Sequence, residues 1–395
     1  MYKLKEEVYL CTPKRSPLGS LGGALSQTPA TEIGSQVIKA ILSESDIFPE
    51  DIDEVILGSV LMAGQGQAPA RQVAIKAGLP KTVQAMTLNK VCSSGLKAIM
   101  LAANSVELGQ ACCVIAGGIE NMSLAPYYLP KLRSGARLGH VQALDSIVED
   151  GLWDPYGDKH MGSCAELCAK EFKLSREAQD KFALRSYERA IKADKEGLLS
   201  DEIVPITVKS RKGDTFFEHD EEPARLKADK VSQLKPAFEK DGTVTAANAS
   251  SINDGAAAIL VCSKEFMQSK GLTPFGRLVA QGWHGQEPEW FTTAPVVATQ
   301  KILEVVGKTS EEIDLFEVNE AFAAVALAYQ ASLNIADDKL NIHGGAVAMG
   351  HPIGVSGARI LVTLLHALKR YEKQTGIAAI CNGGGEATAV MVERV

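Results

Sequence analysis

Apolar residues in this chain alternate between two spacings. Val8 to Cys11 is a short apolar run that reads as a strand, followed by a loop rich in turn formers, T-P-K-R-S-P-L-G-S-L-G-G. From Thr31 to Leu42 the apolar positions Ile33, Val37, Ile38 and Ile41 recur at helical spacing. D-I-D-E-V-I-L-G-S-V, from residue 51, predicts a capped turn entering a buried strand, and Ala68 to Ala77 a helix. Thr87 to Leu101 reads as a strand, a polar turn and then a helix running on through Leu108, with Leu96, Ile99 and Met100 on its buried side. A-C-C-V-I-A-G-G-I-E-N-M, from residue 111, is a wholly apolar strand ending in Gly-Gly. Strands alternating with helices predict a largely parallel sheet covered on both faces.

The pattern changes between Ser123 and about Ser250, where long polar loops, charge runs and an amphipathic helix from Arg176 to Glu196 read as an insertion. T-A-A-N-A-S-S-I-N-D-G-A-A-A-I-L-V-C then returns to small residues and an apolar strand. The last section echoes the first. D-I-D-E-V-I-L-G is matched by E-I-D-L-F-E-V at 312–318, N-K-V-C-S-S-G by the G-H-P-I-G-V-S-G helix start, and C-C-V-I-A-G-G-I-E by A-A-I-C-N-G-G-G-E. Three echoes in one order predict a duplicated α/β unit whose equivalent strand ends meet at a shared face. The predicted boundaries are 1–122 plus 251–271 for the first half, 123–250 for the inserted loop domain and 272–395 for the second half.

At 395 residues the chain exceeds one ordinary domain. Its 46 % hydrophobic and 23 % charged content fits a globular protein rather than a disordered one. With 41 basic against 48 acidic residues there is no global basic field for nucleic acid, so an anionic ligand has to be met by local groups. The first residues, M-Y-K-L-K-E-E-V-Y-L, carry acids and no apolar signal core, and no stretch is apolar for long enough to span a membrane. The expected location is cytoplasmic. Eight cysteines lack zinc-type paired spacing, so free thiols and no metal site are expected.

Candidate chemistry concentrates where glycine does. N-I-H-G-G-A-V-A-M-G-H-P-I-G-V-S-G-A-R, residues 341–359, and C-N-G-G-G, residues 381–385, bring the backbone close to something and fix His351 between Gly350 and Pro352. Cys92 falls near a helix N-terminus, where unpaired N–H groups and the dipole lower a thiol pKa. That makes it the best-placed nucleophile of the eight.

These segments, together with G-G-I-E-N-M-S, N-A-S-S-I-N-D-G-A-A-A and V-N-E-A-F, resemble the thiolase family over nearly the whole chain. The resemblance implies a duplicated five-layer α-β-α-β-α fold with an inserted loop domain, and reversible acyl transfer between coenzyme A thioesters. It makes Cys92 the acylated nucleophile, His351 the base that takes its proton, and Cys381 the second acid/base. The backbone N–H groups of Cys92 and Gly383 would face the tetrahedral intermediate, and His351 with a water on Asn319 the enolate oxygen. Ser250 would meet the pantetheine arm, Arg225 the adenine and phosphate end, and Phe322 the tunnel wall. The segment H-M-G, with His160 and Met161, resembles that of biosynthetic thiolases, where the methionine closes a short acyl pocket.

The implied reaction joins two acetyl-CoA into acetoacetyl-CoA, with coenzyme A as substrate and product and no permanently bound cofactor. The rival is a degradative 3-ketoacyl-CoA thiolase for longer chains. A condensing enzyme of the ketoacyl-carrier-protein synthase type would pair the cysteine with two histidines, and a silent CoA-binding scaffold would not need both thiols and the histidine. Plainer roles are also open: Asn319 as the cap of the following helix, His351 as a satisfied loop histidine, Cys381 as core packing. Glu386 and Met349 depart from the family pattern. The resemblance also implies a homotetramer, with Ser123 to His140 as the contact between dimers.

Overall fold

The computed structural model describes residues 2–211 and 213–395. In chain order the elements that position the site are β1 (Tyr2–Arg15), α1 (Ala30–Ser45), β2 (Glu54–Gly58), α2 (Pro69–Ala77), β3 (Gln84–Leu88), α3 (Ser94–Glu107) and β4 (Cys113–Asn121). Then come α4 (Met161–Glu171), α5 (Arg176–Lys195), β5 (Asn253–Ser263), β6 (Pro274–Gly285) and α6 (Ala294–Val306). The chain closes with β7 (Leu315–Val318), α7 (Ala323–Ser332), α8 (Ser356–Arg370), β8 (Thr375–Asn382) and β9 (Glu386–Glu393). Among the described residues no helix is long and apolar enough to cross a membrane.

One ten-stranded sheet carries the order β7-β8-β9-β6-β1-β5-β4-β2-β3, with the short strand Gly19–Ser20 paired to β5. β2 pairs parallel with β3 and β4, and β7 with β8, whereas every pairing from β4 through β5, β1, β6 and β9 to β8 is antiparallel. The largely parallel sheet expected from helix–strand alternation is therefore a mixed one. The reason is local at one point: only Gly383–Gly385 separates β8 from β9, and so short a turn can join only antiparallel neighbours. The order is palindromic about the β1–β6 pair, so β2 answers β7, β4 answers β8 and β5 answers β9, and each sequence echo lands on an equivalent element.

Strand alternation sorts the side chains into layers. On β5, Ala256, Ala258, Leu260 and Cys262 join α1 and α2 in one outer core, while Ala257, Ile259 and Val261 face α3 and α8. On β8, Ile377 and Ala379 join α6 and α7 on the other outside, and Ala378 and Ile380 face the middle layer. The result is helix, half-sheet, helix, half-sheet, helix. Every residue of α8 from Ser356 to Leu368 is buried, as a helix covered on all sides requires.

In the middle layer the two helices meet at glycine. A Cβ on Gly95 of α3 would lie 2.9 Å from Ala358 N, and one on Gly357 of α8 would lie 2.6 Å from Leu96 N. Contacts that short are available only without side chains.

Residues 122–252 add α4, α5 and three short strand pairs that stay outside the main sheet. Buried charge holds this segment down. The Arg15 guanidinium of β1 donates to Glu202 at 2.6 Å and to both carboxylate oxygens of Asp220 at 2.7 and 2.9 Å, and it is fully buried. Leaving two buried carboxylates without their cation costs about 3–5 kcal/mol. Arg15→Leu is expected to lose stability on that scale in urea denaturation followed by tryptophan fluorescence; a change below about 1 kcal/mol would mean the cluster behaves like a surface ion pair.

Candidate active site

Each half delivers a loop to the same cavity. In the first half β3 ends at Leu88 and α3 starts at Ser94, so Cys92 sits in the intervening turn, two residues ahead of the helix. In the second half His351 lies between the short helix Ala346–Met349 and α8, and Gly383 in the turn after β8. Cys92, His351 and Gly383 line one cavity of about 220 Å³, together with His160, Met161, Ser250 and Phe322.

Side-chain and backbone bonds tie the two loops together. Ser93 Oγ donates to Asn382 Oδ1 at 2.7 Å, and Lys90 Nζ pairs with Glu386 Oε2 at 2.6 Å. The charge at Glu386, unusual for the family pattern, is thus matched by a cation from the other half. Glu120, fully buried on β4, accepts backbone N–H groups from Val60, Leu61 and Gly354. It therefore clamps the His351 loop to the first half. Burial pushes its carboxyl up to about 7, against those N–H donors.

The Cys92 thiol is raised to about 12, mainly by burial. The N–H groups of Gly383 and of Cys92 itself bond toward the sulfur and lower it, while Glu120 raises it further. The lowering expected from the helix N-terminus is therefore overcome, because desolvation of a charged sulfur outweighs two amide dipoles. His351 is held down to about 3 by burial and by the charge of Arg359. Both shifts favour the uncharged forms, a thiol and a neutral imidazole.

The imidazole is not a satisfied loop histidine: Nδ1 bonds Ser356 Oγ at 2.5 Å, but Nε2 is buried without a partner among the described residues. Asn319 is fully buried at the end of β7, its backbone bonded to Ala379 and Ala321. Among the described residues neither amide atom of its side chain has a partner. It does not cap the next helix, which begins at Ala323 with no side-chain cap. An unpaired buried amide costs about 1–3 kcal/mol unless a water or a substrate atom meets it.

Cys381 and Asn319 are fully buried and are not among the residues that line the cavity. Cys381 is fully buried against the lining residues Met161, Ala321, Phe322 and Phe291, and burial, then the neighbouring Cys92 sulfur, push its thiol well above the ordinary value. Ser250 Oγ donates to Ala321 O at 2.9 Å, leaving its lone pairs for the cavity. His160 stacks on Phe238 with centroids 4.7 Å apart, and its Nδ1 accepts from Gly162 N. Arg225 is not brought to the cavity; it is exposed in the turn Pro223–Arg225, 3.7 Å from Glu222. Met349 packs on Leu18 and Ala190 in a separate core. A Cβ on Gly383 would meet Met161 Sδ at 3.6 Å and Val91 at 3.7 Å, ordinary contacts, so an alanine there would crowd only what occupies the cavity.

Glu120 and Ser356 had no assigned part in the sequence reading. An acid inside an otherwise apolar strand was the available signal for the first; nothing in the local pattern marked the second.

A mixed duplicated sheet, a central helix pair, and a thiol and an imidazole lining one cavity between the halves define the class of fold, and family comparison names it. The profile of the thiolase N-terminal domain matches residues 8–265 and that of the thiolase C-terminal domain residues 272–394. The chain belongs to the thiolase family. It is similar to the acetyl-CoA acetyltransferase of Cupriavidus necator, 50 % identical over 98 % of this chain and 99 % of that protein, and to that of Schizosaccharomyces pombe, 45 % identical over 98 % and 99 %. Among solved structures it superposes on the Bacillus anthracis acetyl-CoA acetyltransferase with a TM-score of 0.96 at 42 % identity, covering 99 % of both chains. The Acat5 thiolase from Ascaris suum, solved in complex with coenzyme A, gives 0.94 at 43 %, covering 99 % of this chain and 100 % of that one.

Two outcomes follow from this geometry. A Cβ on Gly118 would lie 2.1 Å from Gly354 O, so Gly118→Ala should displace the His351 loop and cut turnover by about a hundredfold while circular dichroism stays native; undiminished turnover would show that the loop tolerates the shift. Because the thiolate is the reactive form, alkylation of Cys92 by iodoacetamide in the free enzyme should rise with pH and have its midpoint above the ordinary cysteine value of about 8.5. A midpoint below that value would show that the amide donors win over burial.

Proposed function

We propose that the chain is an acetyl-CoA C-acetyltransferase that joins two acetyl-CoA into acetoacetyl-CoA and coenzyme A, reversibly, through an acetyl group on Cys92. The observation that carries this reading is the meeting of a thiol, a bare imidazole nitrogen and two backbone amides in one small cavity. The names of the relatives support the substrate.

In the first half-reaction His351 Nε2 takes the Cys92 proton as the sulfur attacks the thioester carbonyl. The oxyanion meets the N–H groups of Cys92 and Gly383, fixed dipoles that need no reorganisation. The coenzyme A sulfur leaves with the proton of Cys381. Entering and departing groups are both thiols, so neither direction is strongly favoured. In the second half-reaction the Cys381 thiolate takes a proton from the methyl group of the next acetyl-CoA. The enolate oxygen is met by the protonated His351 and by Asn319 through water. Its carbon attacks the acetyl-cysteine, and Cys92 departs and recovers its proton from His351.

Met161 and Phe322 bound the acyl pocket, which suits a two-carbon group, and Ser250 and His160 face the pantetheine arm. Arg225 stands outside the cavity and serves the distal phosphates in this reading. The halves 1–122 plus 251–271 and 272–395 share the chemistry, and 123–250 supplies the coenzyme A contacts. Leu129, Leu132 and Leu138 are exposed on the 123–140 surface, which suits the contact between dimers of a homotetramer. Eight free thiols fit the reducing cytoplasm.

Labelled acetyl-CoA followed by peptide mass analysis tests the intermediate: label belongs on Cys92 and nowhere else. Cys92→Ser should abolish both half-reactions, whereas Cys381→Ser should still acetylate Cys92, more slowly because a hydroxyl is a poorer acid toward the departing coenzyme A sulfur, and lose condensation. Equal loss of both half-reactions in the second variant would remove the separate role of Cys381. Thiolysis should fall steeply from four-carbon to longer 3-ketoacyl-CoA, and a flat profile would reject the short pocket.

A further inference from the structure

The mechanism requires His351 to present a lone pair at Nε2 before any substrate binds, and a neutral imidazole does this in only one of its two tautomers. The protein has to choose between them. The main chain at His351 is already fixed, its N–H shared between Ser251 O and Asn253 Oδ1, both at 3.1 Å. The ring itself has one protein partner, Ser356 Oγ, at 2.5 Å from Nδ1.

Ser356 is fully buried at the first turn of α8, and its hydroxyl also lies 3.1 Å from Pro352 O in donating geometry. A hydroxyl has a single hydrogen. The Pro352 carbonyl, which also accepts the backbone N–H groups of Val355 at 2.9 Å and Ser356 at 3.1 Å, can only accept, and with the hydroxyl hydrogen given to it the Ser356 oxygen accepts from the ring, an arrangement that leaves no ring N–H without an acceptor. Nδ1 then carries the ring proton, and Nε2, buried in the cavity without a protein partner, is left with its lone pair.

The geometry points to Ser356 as a positioning residue that, with the Pro352 carbonyl as its anchor, locks His351 in the Nδ1–H tautomer and so makes Nε2 the base that receives the Cys92 proton. This rests on the proposed role of His351. The relay has a direction: Pro352 C=O accepts from Ser356 O–H, Ser356 O accepts from His351 Nδ1–H, and Nε2 is left for the cavity that Cys92 also lines. When Nε2 takes the proton, Nδ1–H becomes a charge-assisted donor and its bond to Ser356 strengthens.

A hydroxyl as orienter has a different consequence from the carboxylate that does this job in serine-protease triads. It fixes the tautomer without adding negative charge beside the ring. The charged group acting on the imidazole is Arg359, one turn along the same helix, with the Glu120 carboxylate on the Cys92 side. A resting thiolate–imidazolium pair is therefore not stabilised, and the imidazolium is formed only opposite the negative charge of an intermediate. The same tautomer suits the second half-reaction, because Nε2, once protonated, is the nitrogen placed to donate to the enolate oxygen.

The test compares Ser356→Ala, Ser356→Thr and His351→Ala in the full-length enzyme, reading the rate of acetyl transfer from acetyl-CoA to Cys92 by quenched-flow mass analysis, with KM and kcat for thiolysis. Ser356→Ala should slow acetylation by about a hundredfold, the scale of a misdirected general base, with KM within about twofold of the parent. Ser356→Thr keeps a hydroxyl at the same atom and should recover most of the rate. Thermal melting checks that each variant is folded, and the threonine variant carries the same test if alanine is not tolerated: a folded threonine variant at the alanine level of activity would count against the relay. Acetylation at the parent rate in Ser356→Ala, or a rise in KM with kcat unchanged, overturns the inference. If His351→Ala also acetylates at the parent rate, the role of His351 fails instead; if His351→Ala is inactive and Ser356→Ala is not, only the positioning role fails.

Discussion

The structure depends on the contact of α3 and α8 at their N-terminal turns. Gly95 faces Ala358, and Gly357 faces Leu96, with backbone atoms where side chains would otherwise stand. Helix axes usually pack about 8–10 Å apart, a spacing set by the side chains between them. Removing those side chains at the crossing draws the two helix starts together, and with them the Cys92 and His351 loops. The rest of the middle layer, from Leu96 and Ile99 to Leu361 and Leu365, holds that crossing in place through burial worth about 1.5–3 kcal/mol per side chain.

Duplication explains why the crossing falls at the active site. Each half places a helix start beside the end of its own strands, and the antiparallel β1–β6 pair relates the halves so that both ends open on the same face. The equivalent positions have diverged in chemistry. One helix start carries a thiol and the other an imidazole; one strand end carries Glu120 and the other Cys381. Glu120, spanning from the first half to Gly354, and Ser93, spanning to Asn382, then fix the two loops against each other. A site built from two halves needs such ties, since a displacement of about 1 Å between reacting groups costs about two orders of magnitude in rate.

The same burial that positions the groups sets their charge. Burial favours the thiol form of Cys92 and Cys381 and the neutral form of His351, because no ion is cheap beside the apolar side chains of Met161, Phe291 and Phe322. The fixed exceptions are dipoles: the N–H groups of Cys92 and Gly383, and the unpaired amide of Asn319. In the proposed reaction these dipoles are what an intermediate with negative charge on oxygen would meet. The inserted segment closes it, through Met161 and His160 at the start of α4, and is itself fastened to the sheet by Arg15 and its two buried carboxylates.

The chain by itself determined the elements and their duplication, because apolar periodicity and glycine placement are local properties. The strand of C-C-V-I-A-G-G-I-E and the helix after N-K-V-C-S-S-G are written in a dozen residues each, and Cys92, His351 and Gly383 stand out for the same reason. Sheet direction was not legible: helix–strand alternation suggests parallel pairing, and the antiparallel centre depends on which strands meet across the halves. The net direction of the Cys92 shift was not legible, since a helix start is visible in sequence and the depth of its burial is not. Arg225 was singled out by family resemblance rather than by any local pattern, and the fold leaves it on the surface beside Glu222, outside the cavity. Only the tertiary structure gave Glu120 and Ser356 their partners, because a buried hydrogen bond between residues of different loops leaves no periodic trace in either one.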